Sequence, residues 1–302
     1  MGGKGFCTYP QRRPWDPTVQ QGSLFSGLKV FSVYVTAGNG ARGHRFQIAR
    51  AISMNEVIRQ LYQTGKARDA EGNDIDIYPV SIKPDEGALL YRLVREHHVQ
   101  RSLETGMALG LSSLHLCQAL VENGGFEHVS IDPWQERWFK NAGVLNLERA
   151  GLSAIQRTLY CPSHEGLAEL MREGNPFDFA FIDGNHRFEH VLTDFFLADT
   201  LLSRGAVVVF HDTWLPSIRK VIAFVLRNLP DRYVMLPCCL NTLPGAVRGW
   251  ARSLKMVLRD PRDMAPALIF GRRSFSNMGV FQKIADGSPE ATDLAWDFYR
   301  SF

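Results

Sequence analysis

Leu103-Glu-Thr-Gly-Met-Ala-Leu-Gly-Leu-Ser112 is the stretch whose reading decides the fold. The run from Val99 to Leu103 leads into it, and Leu114, Cys117, Leu120 and Val121 follow at three- and four-residue spacings. That pattern predicts strand, glycine turn, helix. Gly106 lets the chain turn sharply at the strand end, and Gly110 lets backbone approach a ligand or the next strand. Ser112 is placed to cap the helix, where unpaired N–H groups favour a negative ligand group. Glu104 puts a carboxylate at the strand mouth, which suits a ligand bearing an ammonium group better than one bearing only phosphates. The spacing is Glu-x-Gly-x-x-x-Gly and not the Gly-x-Gly-x-x-Gly of dinucleotide folds. By itself the stretch is also compatible with a glycine turn that only joins a strand to a helix.

Strands and helices alternate on the C-terminal side. Expected strands at 128–132, 155–160, 177–183 and 206–211 are separated by expected helices at 135–150, 163–173 and 188–202, and a helix at 216–228 follows. On the N-terminal side, Pro84, Asp85 and Glu86 suit the first turn of a helix that runs to about His97. The segment 206–211 is nearly all apolar, as a strand buried on both faces must be. The class is therefore α/β, a doubly wound, mostly parallel sheet with ligands at the carboxyl ends of its strands. Outside the alternation lie a Gly/Pro/Arg-rich arm at 1–29, a short strand at 31–35, a helix at 46–62 and a polar loop at 65–76. Segment 238–276 interrupts it with a basic amphipathic helix at 246–258. A last strand at 277–283 and a helix at 290–302 close the chain.

The 302 residues suffice for one large domain or two small ones, and 45% hydrophobic with 22% charged residues is ordinary for a globular protein. No apolar run is long enough for a membrane span, and the N-terminus lacks the apolar core of a signal peptide. Cys7, Cys117, Cys161, Cys238 and Cys239 show no metal-type spacing. Free thiols in a reducing cytoplasm are the simplest expectation. The net charge of +3 is uneven: residues 1–60 carry +6 and 238–276 carry +5, which leaves −8 for the rest. Two basic segments on an acidic body suit anionic partners or a solvated basic face. No nucleic-acid-binding module is recognisable.

What each strand leaves at its carboxyl end carries the chemistry. In order these are Glu104 and Gly106; Asp132; Ser163 and His164; Asp183 with His186; and His211 with Asp212. One rim gathers acids, bases and a glycine turn. At these residues the chain resembles the class I S-adenosylmethionine-dependent methyltransferases, in the branch related to catechol O-methyltransferase, over roughly 81–228. The resemblance implies a Rossmann-like, seven-stranded methyltransferase domain at 81–302 with the 238–276 insertion, preceded by an arm and helical extension at 1–80. It implies that Glu104, Gly106 and Ser112 surround the methionine part of S-adenosylmethionine, that Asp132 grips the ribose, and that Ser163 and His164 meet the adenine. Phe-Ile-Asp-Gly-Asn-His-Arg-Phe at 181–188 resembles the branch's Ile-Asp-Ala-Asp-Lys-x-x-Tyr. Asp183 matches its metal-binding aspartate, His186 stands in place of its catalytic lysine, and His211-Asp212 in place of its Asp-Asn metal pair.

The expected activity is methylation of a small-molecule hydroxyl, with His186 as general base and Asp183 beside it. A divalent metal such as Mg²⁺ would sit on Asp183, His211 and Asp212. The bland alternatives are a capping role for His186 and a hydrogen-bonded polar cluster in place of the metal. Two other functions stay open. One is a methyltransferase-fold protein with another role, as a metal-dependent hydroxylase or a non-catalytic binding subunit. The other is an NAD-dependent oxidoreductase. The expected partner is a small molecule of anionic or sugar-like character, and a homo-oligomer is allowed.

Overall fold

The computed structural model describes residues 54–236 and 277–286. The expected strand at 31–35, the 238–276 insertion with its basic helix, and the terminal helix lie outside the described residues, as does the first part of the 46–62 helix. Within them, α1 (Glu56–Thr64) leads to a two-stranded antiparallel hairpin, β1 (Lys66–Arg68) and β2 (Asp74–Asp76). The polar composition of 65–76 predicts a loop there. Asp69 accounts for the difference, because its carboxylate accepts the backbone N–H groups of Glu71 and Asn73 and folds the turn.

A seven-stranded sheet follows, in the spatial order β5-β4-β3-β6-β7-β9-β8. Its strands are β3 (Arg101–Thr105), β4 (Glu127–Ile131), β5 (Gln156–Leu159), β6 (Phe177–Ile182), β7 (Leu202–Phe210), β8 (Tyr233–Met235) and β9 (Gly279–Lys283). The first five run parallel, and β9 is antiparallel to both β7 and β8. The expected Rossmann-like sheet is present. Its seventh strand is β8, three residues too short to give a periodic signal in the sequence.

Helices α2 (Pro84–Glu96), α3 (Leu111–Asn123) and α4 (Ala142–Arg149) bury the core cluster that contains Phe179, Phe181, Val207 and Val209. The alternate residues Leu103, Val129, Ala180, Val208 and Phe210 belong to a second cluster with α5 (Ser163–Glu173), α6 (Phe188–Leu201) and α7 (Pro216–Asn228). Successive residues of β6 and β7 thus alternate between two cores, which is why those two strands are apolar on both faces. Ile58, Leu61, Ala67 and Ile77 pack into the first cluster.

Helix α4 starts seven residues later than the spacing predicts. Asp132 Oδ1 accepts the Trp134 N–H at 2.8 Å, and Lys140 and Asn141 adopt left-handed conformations. A helix cannot run through residues held at positive φ.

Candidate active site

The strand order reverses at β3, between β4 on one side and β6 on the other, so the carboxyl ends of β3 and β6 border the crevice of a doubly wound sheet. The turn after β3 lies close to the turn after β6. Gly106 has φ +85°, and a Cβ there would fall 2.3 Å from the Asp183 carbonyl oxygen. Asp183 N–H donates to Thr105 O at 3.0 Å, and Gly106 N–H to Ile131 O at 2.9 Å. Only glycine fits this junction.

The cap of α3 is not Ser112. Gly110, left-handed at φ +78°, is the N-cap, and Ser112 is the buried second residue of the helix. Helical backbone at Ser112 and a left-handed Gly110 move the cap two residues toward the turn. Glu104 is fully buried. Its Oε1 accepts the hydroxyls of Ser113 and, at 2.8 Å, Ser130, while its Oε2 has no hydrogen-bond partner among the described residues.

Asp132, at the end of β4, is buried and clamps the glycine turn. Its Oδ2 accepts Met107 N–H at 3.1 Å, Ala108 N–H at 2.8 Å and Gln135 Nε2 at 3.0 Å. Oδ1 accepts only the Trp134 N–H among the described residues and keeps capacity for a further donor. Trp134 and Trp138 stack at 4.0 Å between ring centroids, and Trp138 is the more exposed of the two. At the start of α5, Ser163 is half-buried and His164 exposed. Beside Ser163 stands Asp194 of α6, whose carboxyl burial pushes upward against the opposing hydroxyls of Ser163 and Thr105.

The ends of β6 and β7 form the charged part of the rim. His186 Nε2 lies 3.4 Å from both Asp183 Oδ1 and Asp212 Oδ2. Ser217 Oγ of α7 donates to the His186 carbonyl at 2.6 Å and fixes the turn. The Asp183 hydrogen bond raises the His186 pKa, burial opposes it, and the Asp183 and Asp212 charges add to the rise. His211 is buried, with Nδ1 3.0 Å from Asp183 Oδ1 and Nε2 3.3 Å from Glu86 Oε2. Burial alone would lower its pKa, but Asp183, Asp212 and Glu86 together push it up to about 12. Burial would raise Asp212. The hydrogen bonds from His211, Asn277 and Trp214 outweigh it and hold the carboxyl well below the usual range.

The geometry adds His186 to the residues expected around a metal, Asp183, His211 and Asp212. Asp183, His186 and Asp212 each offer a ligand atom, and all three atoms lie within 4.8 Å of one another. Two carboxylates and one imidazole suit a divalent cation. His211, expected in that set, stands with Nδ1 3.0 Å from Asp183 Oδ1 and 3.6 Å from Asp212 Oδ1, and with Nε2 on Glu86. Among the residues with a role here, sequence reasoning missed Glu86 and Asn277. Glu86 was legible only as an acid in a first helical turn, where its own capping bond to Lys83 N–H at 2.7 Å also belongs. Nothing in the sequence tied it to His211, 125 positions away.

Comparisons with known proteins bear on the fold and the family. A family described as a methyltransferase domain matches residues 103–213. A catechol O-methyltransferase from Niastella koreensis is 29% identical over 136 residues, covering 44% of this chain and 58% of that protein. Tricin synthase 1 of Oryza sativa subsp. japonica is 28% identical over 169 residues, 51% of this chain and 66% of that protein. The chain thus spans less than two thirds of the length of these relatives. The O-methyltransferase from Bacillus cereus, solved in complex with SAH, aligns with a TM-score of 0.50 at 20% identity, over 61% of this chain and 84% of that one. That likeness concerns the fold.

Proposed function

Because this chain carries a class I methyltransferase domain of the branch related to catechol O-methyltransferase, we propose that it transfers a methyl group from S-adenosylmethionine to a hydroxyl of a small molecule. The observation that carries this reading is the cluster of Asp183, His186 and Asp212 beside the glycine turn at the strand crossover. A bound S-adenosylmethionine supplies an electrophilic methyl group, and the protein's task is to hold oxygen, methyl carbon and sulfur in line. The buried Glu104 Oε2 without a partner and the close backbone at Gly106 fit its amino-acid part. Asp132 Oδ1 fits a ribose hydroxyl, and Ser163 and His164 flank the adenine end.

His186 takes the acceptor hydroxyl's proton. Its Nε2 faces two carboxylates that stabilise the imidazolium formed, the arrangement that makes histidine an effective base. If a divalent metal binds Asp183, His186 and Asp212, the cation lowers the hydroxyl pKa instead, and His186 becomes a ligand. The acceptor is an anionic or sugar-like small molecule, in keeping with basic segments 1–60 and 238–276. No helix among the described residues is long and apolar enough to cross a membrane. A second reading, favoured by the same three ligands, uses the fold for other metal chemistry such as hydroxylation.

The test is calorimetric titration of metal-stripped protein with S-adenosylmethionine, S-adenosylhomocysteine and NAD⁺, followed by Mg²⁺. Micromolar binding of the first two, weakened in Asp132→Asn, supports the cofactor site. A folded protein that binds neither ends the methyltransferase reading. His186→Ala is expected to lower turnover by about 10²-fold or more with cofactor affinity nearly unchanged. Equal loss of both would remove His186 from the chemistry. Activity that needs Mg²⁺ makes His186 a ligand, and metal-dependent oxidation without methyl transfer selects the second reading.

A further inference from the structure

Beneath the glycine turn lies a buried polar chain that the methyl-transfer chemistry does not use. The register of β3 and β4 pairs Ser102 with His128 and Glu104 with Ser130, so four polar side chains share one face of two central strands. All four are completely buried, and Ser113 of α3 covers them. Ser102 Oγ lies 2.8 Å from His128 Nδ1, and His128 Nε2 lies 3.1 Å from Ser130 Oγ. The same Nε2 is 3.3 Å from Glu104 Oε1.

The donors can be ordered. Ser130 already gives its hydroxyl proton to Glu104 Oε1 at 2.8 Å, so it can only accept from the imidazole. Nε2 therefore carries hydrogen and points it at Ser130 Oγ and Glu104 Oε1. Nδ1 then accepts from Ser102. The Ser113 and Ser130 hydroxyls and the His128 Nε2 hydrogen are all directed at one oxygen, Oε1. Oε2, equally buried, has no partner among the described residues. A buried carboxylate oxygen without a donor is costly, so its place is kept for one that arrives with a ligand.

We infer that His128 is a positioning residue: through Ser130 and Oε1 it locks the Glu104 carboxylate so that Oε2 is presented to the ammonium group of an amino-acid-bearing nucleoside. This rests on the methyltransferase reading for the identity of that nucleoside. Two serines alone would leave the carboxylate free to turn.

The test compares S-adenosylhomocysteine with 5′-methylthioadenosine, which lacks the amino-acid part, by calorimetry on wild type, His128→Leu and His128→Gln. His128→Leu is expected to weaken S-adenosylhomocysteine about tenfold while 5′-methylthioadenosine stays within about twofold. His128→Gln, which keeps a donor near Ser130, is expected to recover most of the loss. Equal weakening of both ligands, or of neither, overturns the role of His128 and leaves the functional reading standing. Wild type that binds neither ligand overturns both. Should His128→Leu fail to fold by circular dichroism, Ser130→Ala removes the same relay and is read by the same ratio.

Discussion

His211 is the residue on which the rim turns, because it joins Asp183, Asp212 and Glu86. Its pKa, raised to about 12 from 6.5, fixes the sign of a pH effect. Below the unfolded value both states hold the proton, and the stabilisation is fully present. As pH rises from about 6.5 toward 12 only the unfolded chain releases it, so stability falls across that window. The melting temperature of wild type is expected to drop with pH from neutrality upward, and His211→Gln should flatten that slope. Parallel slopes in the two proteins would mean that His211 is not held charged. The same residue illustrates how far a local reading reaches. Its place at the end of β7 was legible, but its partner Glu86 sits on α2, far away in sequence.

At the scale of the element, α2 ties the rim to the first core. Its N-terminus is closed by Glu86, whose Oε2 accepts Lys83 N–H, and one residue on Gly87 packs against the face of His115 from α3. A Cβ at Gly87 would sit 2.3 Å from His115 Nε2. His115 is buried, and burial holds its pKa down to about 4, so the ring has no solvent to move into. Glycine to alanine in a helix interior ordinarily stabilises by about 1 kcal/mol. Here overpacking should win, and Gly87→Ala is expected to destabilise by ~1–3 kcal/mol in urea unfolding. A stabilised variant would show that α2 and α3 separate easily. The α2 boundaries were readable from Pro84 and the following acids. The tight approach to α3 was not, because the close packing that needs glycine is a property of two elements.

For the whole molecule, the antiparallel edge is held by a buried ion cluster. Asp199, near the end of α6, pairs with Arg232 and accepts the Tyr233 hydroxyl at 2.6 Å, and Lys283 Nζ of β9 lies 3.4 Å away. Lys283 also donates to the carbonyls of Asp199 at 3.0 Å and Leu202 at 2.8 Å. Removing one partner leaves buried charge uncompensated, so Asp199→Asn is expected to cost about 3–5 kcal/mol. A lowered urea midpoint with unchanged slope would confirm a native-state effect. A change below about 0.5 kcal/mol would mean that the carbonyls and Asp286, 3.0 Å from Lys283 Nζ, satisfy the ammonium without Asp199. This cluster fastens β8 and β9 far in sequence from the glycine turn, and only the sheet order brings its members together.

The sequence by itself determined the alternation of strands and helices, the parallel body of the sheet, and the residues left at each strand's carboxyl end. These are local: apolar period, glycine turns and short acid motifs are written within a dozen residues. Tertiary structure alone decided three further things. It brought His186 beside Asp183 and Asp212 and tied His211 to Glu86, because the rim joins the ends of β6 and β7 to the start of α2. It spent most of Asp132 on the glycine turn, because the carboxylate faces backbone N–H groups more than twenty residues away. It aligned Ser102, His128, Ser130 and Glu104 on one buried face, because strand register sets which side chains meet.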